Sequence, residues 1–247
     1  MSAEGLWAGS PAISRWELED RIEAVSARIT AAAARVRRDP AEITLVAVSK
    51  TRPPETVVAA CHAGVRLFGE NRVEEASAKA QAVARLVAPA APPTWHMVGH
   101  VQSRKAGEVL PWAAMVHSVD TVKLAQKLSR FSIRAGKELV VLVEVNVSGE
   151  ASKFGLPPSA LPATIEAIAS LPGLRLEGLM TMAPIAADPE SVRPVFAALR
   201  DLRNQMARRY PELEWMHLSM GMTDDFEVAI EEGATLVRIG RAIFGES

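Results

Sequence analysis

Apolar positions along this chain keep two rhythms. The first is a short, nearly continuous run, as in Ile43-Thr44-Leu45-Val46-Ala47-Val48, which is bounded by Ser49-Lys50 on one side and has Pro53-Pro54 close behind. Its length and branched side chains predict a buried strand. Similar runs at residues 65–68, 95–98, 115–119, 139–145, 176–180, 215–218 and 236–239 bring the expected strands to eight. The second rhythm is a three- and four-residue step. Leu18, Ile22, Val25 and Ile29 keep it behind Ser14-Arg15-Trp16-Glu17, which has the capping-box spacing, so a long amphipathic helix is expected from there to about Asp39-Pro40. Further helices are expected over 73–86 after Asn71, 122–133 after Asp120 and 192–206 after Asp188-Pro189.

Strand therefore alternates with helix from residue 43 onward. Strands joined by crossover helices lie parallel, and eight such units in about 250 residues match a (β/α)8 TIM barrel. An open doubly wound sheet permits the same alternation, but no glycine-rich dinucleotide fingerprint follows the first strand. No stretch reads as a linker between domains. The expected organisation is a frayed tail over 1–13 and one barrel domain over 14–247 with an extra N-terminal helix. Residues 88–94, rich in Pro and Ala, read as a surface excursion before the third strand.

Composition narrows the possible partners. Twenty-eight Lys and Arg against 29 Asp and Glu leave a formal net charge of -1, so the molecule carries no overall field toward nucleic acid or an anionic membrane. No run approaches the roughly 18–20 apolar residues of a membrane span, and the first residues do not pattern as a signal peptide. A single cysteine, Cys61, permits neither an internal disulfide nor a zinc cage and fits the cytoplasm. A monomer or weak dimer is the expected assembly, with Leu6, Trp7 and the first helix as the surfaces available for association.

In such a barrel the chemistry sits where strands end. Lys50, one of seven lysines, directly follows the first apolar run. An amine projecting from an apolar wall is desolvated and nucleophilic, which suits Schiff-base chemistry with an aldehyde. A solvated strand-end lysine is the plain alternative. Ser219-Met220-Gly221 and Arg238-Ile239-Gly240-Arg241 close the last two strands, where glycines allow backbone approach and a phosphate commonly binds; ordinary turn glycines beside a helix capped by Asp224 are the plain reading. Arg238, inside an apolar strand, needs a buried acceptor: a carboxylate, a phosphate or an unprotonated ring nitrogen. His96 reads as core and His100 as a strand-end residue open to a ligand, and their spacing on a strand argues against a shared metal. Asp224-Asp225 reads first as a helix start.

These same segments carry a family resemblance. Ala47-Val48-Ser49-Lys50-Thr51, Phe68-Gly69-Glu70-Asn71-Arg72, Trp95-His96-Met97-Val98-Gly99-His100-Val101-Gln102-Ser103-Arg104-Lys105, Val145-Asn146-Val147-Ser148-Gly149-Glu150-Ala151-Ser152-Lys153-Phe154-Gly155, Gly178-Leu179-Met180, Leu218-Ser219-Met220-Gly221-Met222-Thr223-Asp224-Asp225 and Val237-Arg238-Ile239-Gly240-Arg241-Ala242-Ile243-Phe244-Gly245 closely resemble the pyridoxal phosphate homeostasis protein family. Its members are single-domain relatives of the alanine racemase N-terminal barrel. The resemblance implies pyridoxal 5'-phosphate (PLP) as cofactor, with Lys50 forming the internal aldimine. Ser219 and the backbone around Gly240 and Arg241 would hold the phosphate, with Met220 and Gly221 beside them. Arg238 would face the pyridine nitrogen, and Asn71, His100 and Met180 would lie at the cofactor. An arginine there disfavours ring protonation and makes the cofactor a poorer electron sink. The chain departs from the pattern at Arg241, where relatives often carry a small hydroxyl residue, at Arg104, often asparagine, and at Phe154, often small.

Three functions compete on this reading. A PLP carrier or regulator would hold the aldehyde on Lys50 without robust catalysis and serve PLP-dependent apo-enzymes. A PLP-dependent amino-acid racemase needs a second acid/base on the opposite face of the substrate; alanine racemase takes a tyrosine from an added β-domain, whereas this sequence has only Tyr210, far from the strand ends. A Schiff-base aldolase would need a cofactor-free Lys50. The carrier is the expected function.

Overall fold

A computed structural model of the chain describes residues 13–150 and 153–246. The strands β1 (Thr44–Val48), β2 (Leu67–Glu70), β3 (Thr94–Met97), β4 (Met115–Val119), β5 (Leu139–Glu144), β6 (Leu174–Met180), β7 (His217–Ser219) and β8 (Leu236–Ile239) follow one another around a closed barrel. All neighbouring pairs are parallel, and β8 returns to β1 with Val46 opposite Arg238. That closing pair rules out the open doubly wound sheet and leaves no strand edge unpaired. The eight expected strands are present, β4 and β8 with the expected ends and the others with ends shifted by at most two residues.

The helices that cover the barrel are α1 (Arg15–Arg35), α2 (Pro54–His62), α3 (Val73–Val87), α4 (Ala106–Val109), α5 (Val122–Ala135), α6 (Leu161–Ala169), α7 (Arg193–Arg209), α8 (Phe226–Glu231) and α9 (Arg241–Phe244). The first begins as its capping box predicts, with the Ser14 hydroxyl accepting from the Glu17 N–H at 3.3 Å. It ends four residues before Asp39. Arg37 enters the left-handed region (φ 58°) and Arg38 N–H turns back to the Ala33 carbonyl at 3.0 Å, closing the helix as a Schellman-type turn does. Leu18, Val25, Ile29, Ala32 and Ala33 bury its inner face, which packs beside α8 and α9. The frayed tail expected over 1–13, with Leu6 and Trp7, lies almost wholly outside the described residues.

Two apolar layers follow from the period-two alternation of strands. Residues pointing outward, such as Phe68, Val141, Leu179 and Met220, join the large core between sheet and helices. Those pointing inward fill the barrel axis with Val46, Val98, Met115, Leu142, Met180 and Leu236. Polar residues share that axis: His96, His117, Glu144, Ser219 and Arg238 are all buried. Among the described residues, no helix is long and apolar enough to cross a membrane.

Candidate functional site

A cavity of about 590 Å³ opens at the C-terminal ends of the strands. Its walls include Val48, Lys50, Asn71, Val98, Lys153, Met182, Asp224, Arg238, Gly240 and Arg241. Five of the ten candidate residues thus meet in one space: Lys50, Asn71, Arg238, Gly240 and Arg241. Lys50 stands just past β1 in a turn, where Arg52 N–H bonds the Ser49 carbonyl at 3.0 Å. Its side chain is exposed to the cavity, so the desolvating apolar wall expected around it is not in place.

Asn71 follows β2 and is held by its backbone. A Cβ at Gly99 would come within 2.3 Å of the Asn71 carbonyl oxygen, so the glycine after β3 is what allows the two strand exits to touch. Asn71 does not cap α3; that position falls to Arg72, without a side-chain bond. His100 sits on the next exit, its Nδ1 3.2 Å from Asp120 Oδ2 and its ring stacked on Phe154 at 4.0 Å. It is not part of the cavity wall. Asp120, expected as a cap, faces this histidine, and Thr121 caps α5 in its stead.

Arg238 forms the polar floor. Its guanidinium donates to Ser219 Oγ at 2.6 Å and to the Thr181 carbonyl at 2.9 Å. Burial lowers its pKa to about 10, against the pull of Glu144 and Asp225, so it remains a cation at neutral pH. Ser219 is fully buried, with its hydroxyl also 2.8 Å from His117 Nδ1. His117 Nε2 lies 2.9 Å from His96 Nδ1. Burial pulls the pKa of His96 down to about 3 and that of His117 well below its usual value, so both rings are neutral. A polar chain therefore runs from Arg238 down the barrel axis, and Ser219, expected at a phosphate, is engaged within it.

The remaining candidates lie off the cavity wall for reasons of strand geometry. Met180 points inward, opposite Ser219, and packs in the axial apolar cluster. Met220 points outward into the sheet–helix core, one residue on from inward-facing Ser219. Gly221 (φ 91°) presses against α8, where a Cβ would meet Ala229 Cβ at 2.6 Å, and its carbonyl accepts from Arg238 N–H at 3.0 Å. Arg241 opens α9 at the rim, paired with Asp224 and, at 3.4 Å, with Glu246. Asp225, not Asp224, caps the loop before α8, accepting from Met222 N–H at 2.6 Å.

Sequence reasoning missed two charged wall residues, Lys153 and Glu246. Lys153 reaches the cavity from the β5 exit loop, which Asn146 organises: its Oδ1 accepts from Gly149 N–H at 3.0 Å and its Nδ2 donates to the Glu150 carbonyl at 2.9 Å. Lys153 lay within a quoted motif, but its distance from a strand end hid it.

The alanine racemase N-terminal domain family matches residues 21–247. The pyridoxal phosphate homeostasis protein of Pseudomonas aeruginosa is 45% identical over 228 residues, covering 92% of this chain and 95% of its own length. The chain belongs to the pyridoxal phosphate homeostasis protein family. Its human namesake in that family is 40% identical over 234 residues, 91% of this chain and 85% of the human one. PipY of Synechococcus elongatus PCC7942, solved with PLP bound, superposes with a TM-score of 0.76 at 33% identity, over 88% of this chain and 100% of PipY. Of the three positions expected to depart from the family pattern, Phe154 stacks on His100, Arg104 bonds Gln102 at 2.9 Å, and Arg241, on the cavity wall, pairs with Asp224.

Proposed function

We propose that this chain binds PLP in the cavity at the barrel mouth, takes its aldehyde covalently on Lys50, and so keeps the free aldehyde scarce without robust turnover of its own. The observation that carries this is the meeting of Lys50 with Arg238, Gly240 and Arg241 in one cavity. The donor set suits the group. A primary amine answers an aldehyde, and guanidinium groups at the floor and rim answer a phosphate and an unprotonated ring nitrogen. Gly240 lines the cavity, and its missing Cβ lets the β8 exit pack against the Val48 carbonyl, which a Cβ would approach to 3.1 Å. The homeostasis role of the relatives and the PLP bound to PipY support the same reading.

PLP supplies an aldehyde that condenses with a primary amine, forming a C=N bond with loss of one water. The protein contributes placement. Lys50 brings the amine on a turn at the β1 exit, Asn71 borders the same space, and Gly240 and Arg241 offer the phosphate a backbone approach and a positive charge. Arg238 would face the ring nitrogen; a guanidinium only donates, so it would leave no acceptor for a proton on that nitrogen. Ser219, His117 and His96 hold the guanidinium there.

Racemisation would need a second acid/base opposite the amine. The lone tyrosine does not serve: the Tyr210 hydroxyl donates to the Pro162 carbonyl at 3.1 Å and is no part of the cavity wall. We place the protein in the cytoplasm, handing PLP to apo-enzymes that require it. Titration of ligand-free protein with PLP tests the proposal. Wild type gains a visible absorbance band that Lys50→Ala lacks, and a chiral assay with L-alanine shows no efficient turnover. An unchanged band in Lys50→Ala refutes the anchor, and rapid racemisation refutes the carrier.

A further inference from the structure

A buried lysine lies behind the turn that carries Lys50. Lys79 is on α3, fully buried, and its Nζ donates to the Ser49 carbonyl at 2.7 Å, Glu70 Oε1 at 2.8 Å and Glu75 Oε1 at 2.8 Å. All three ammonium protons are thereby used. The same carboxylates reach the turn directly: Ser49 Oγ donates to Glu70 Oε1 at 2.6 Å, and Thr51 N–H donates to Glu75 Oε1 at 2.5 Å. The carbonyl just before Lys50 and the N–H just after it therefore converge on one ionic cluster.

The turn needs such support. Ser49 to Arg52 closes with the Arg52 N–H on the Ser49 carbonyl, and Thr51, third in that turn, sits at φ 65°. That position ordinarily takes glycine, and a β-branched residue there costs on the order of 1–3 kcal/mol of backbone strain. Stability is a poor account of the cluster. Two carboxylates share one ammonium, Glu70 Oε2 is buried with no hydrogen-bond partner, and apolar packing commonly does as well as a buried ion group. What the cluster supplies is a fixed path for the backbone on both sides of Lys50.

We propose that Lys79, acting with Glu75, is a positioning residue that holds the Ser49–Arg52 turn so that the Lys50 amine stands ready to capture the aldehyde. This rests on the reading of Lys50 as the capture group. Lys79 acts through the peptide groups of Ser49 and, by way of Glu75, of Thr51, without itself lining the cavity.

Three readouts on Lys79→Met, Glu75→Met and Glu75→Gln test it. The first is amide hydrogen exchange at Thr51 in ligand-free protein. The second is the rate at which borohydride-trapped PLP accumulates on Lys50. The third is affinity for pyridoxine 5'-phosphate, which has no aldehyde. Lys79→Met and Glu75→Met are expected to speed Thr51 exchange and to slow capture by about tenfold to a hundredfold, the scale on which misplacement of a reacting group acts. Their affinity for pyridoxine 5'-phosphate should stay within about twofold, since no contact to that ligand is altered. Glu75→Gln, which keeps an oxygen for the Thr51 N–H, should recover most of the rate lost in Glu75→Met.

Unchanged exchange and capture in both methionine variants overturn the proposal. So does a parallel fall in capture and pyridoxine 5'-phosphate affinity, which marks general damage. If Lys79→Met does not fold, the Glu75 pair decides. Wild-type protein that traps no PLP on Lys50 fails the underlying reading and takes the capture role with it, while Thr51 exchange still reports whether Lys79 holds the turn.

Discussion

Arg238 is the residue whose surroundings say most about the chemistry the cavity can support. Its guanidinium lies in a nearly dry floor, with Ser219 Oγ and the Thr181 carbonyl as acceptors and a pKa lowered by burial to about 10. On the proposed binding mode, a fixed cation opposite the ring nitrogen would repel a ring proton and leave the ring a weak electron sink. Replacing Arg238 by Gln should weaken PLP retention and alter its absorbance spectrum, read by titration and dialysis. Unaltered spectrum and retention would show that Arg238 does not touch the ring. Lys50 and Arg238 were legible in the sequence because each interrupts or ends an apolar run where a barrel places its chemistry. Lys79 was not, because a lysine on a helix reads as solvated. A signal existed: among its neighbours three and four residues away, Glu75, Ala76 and Val83 are buried, and Glu75 stands at ion-pair spacing.

At the scale of elements, strand ends decide which polar groups meet. β3, β4, β7 and β8 bring His96, His117, Ser219 and Arg238 into one buried chain, and β5 adds Glu144 nearby. Burial, with Asp120 adding repulsion and Arg238 opposing, pushes the Glu144 carboxyl up to about 7 from its ordinary 4.5. Between those values the native protein keeps a proton that the unfolded chain has lost, so stability falls as pH rises from about 4.5 to about 7. The loss is on the order of 3 kcal/mol. Urea unfolding across that range should show this decline in wild type relative to Glu144→Gln, which cannot ionise; parallel pH profiles would contradict it. Helix starts were less legible than strands. Asn71 and Asp120 have cap chemistry, yet the fold places one at the cavity and the other against His100, leaving Arg72 and Thr121 at the cap positions. Residues suited to a cap are equally suited to a site, and the local sequence does not separate the two uses.

For the whole molecule, eight apolar runs spaced by crossover helices leave few ways to bury every strand on both faces, and closure of β8 on β1 is the one adopted. That global rule made the barrel readable from the hydrophobic pattern. Which strand-end residues share a cavity depends on inward and outward alternation near irregular exits, which the pattern fixes only within the strands. Ser219 and Met220 show it: adjacent in sequence, one joins the polar axis and the other the outer core. The central claim is that this barrel holds PLP through Lys50. Borohydride reduction of PLP-loaded protein, followed by peptide mapping by mass spectrometry, tests it most directly. A single reduced adduct on the peptide containing Lys50 is the predicted result. An adduct confined to Lys153, the other lysine on the cavity wall, or no adduct at all, would contradict it.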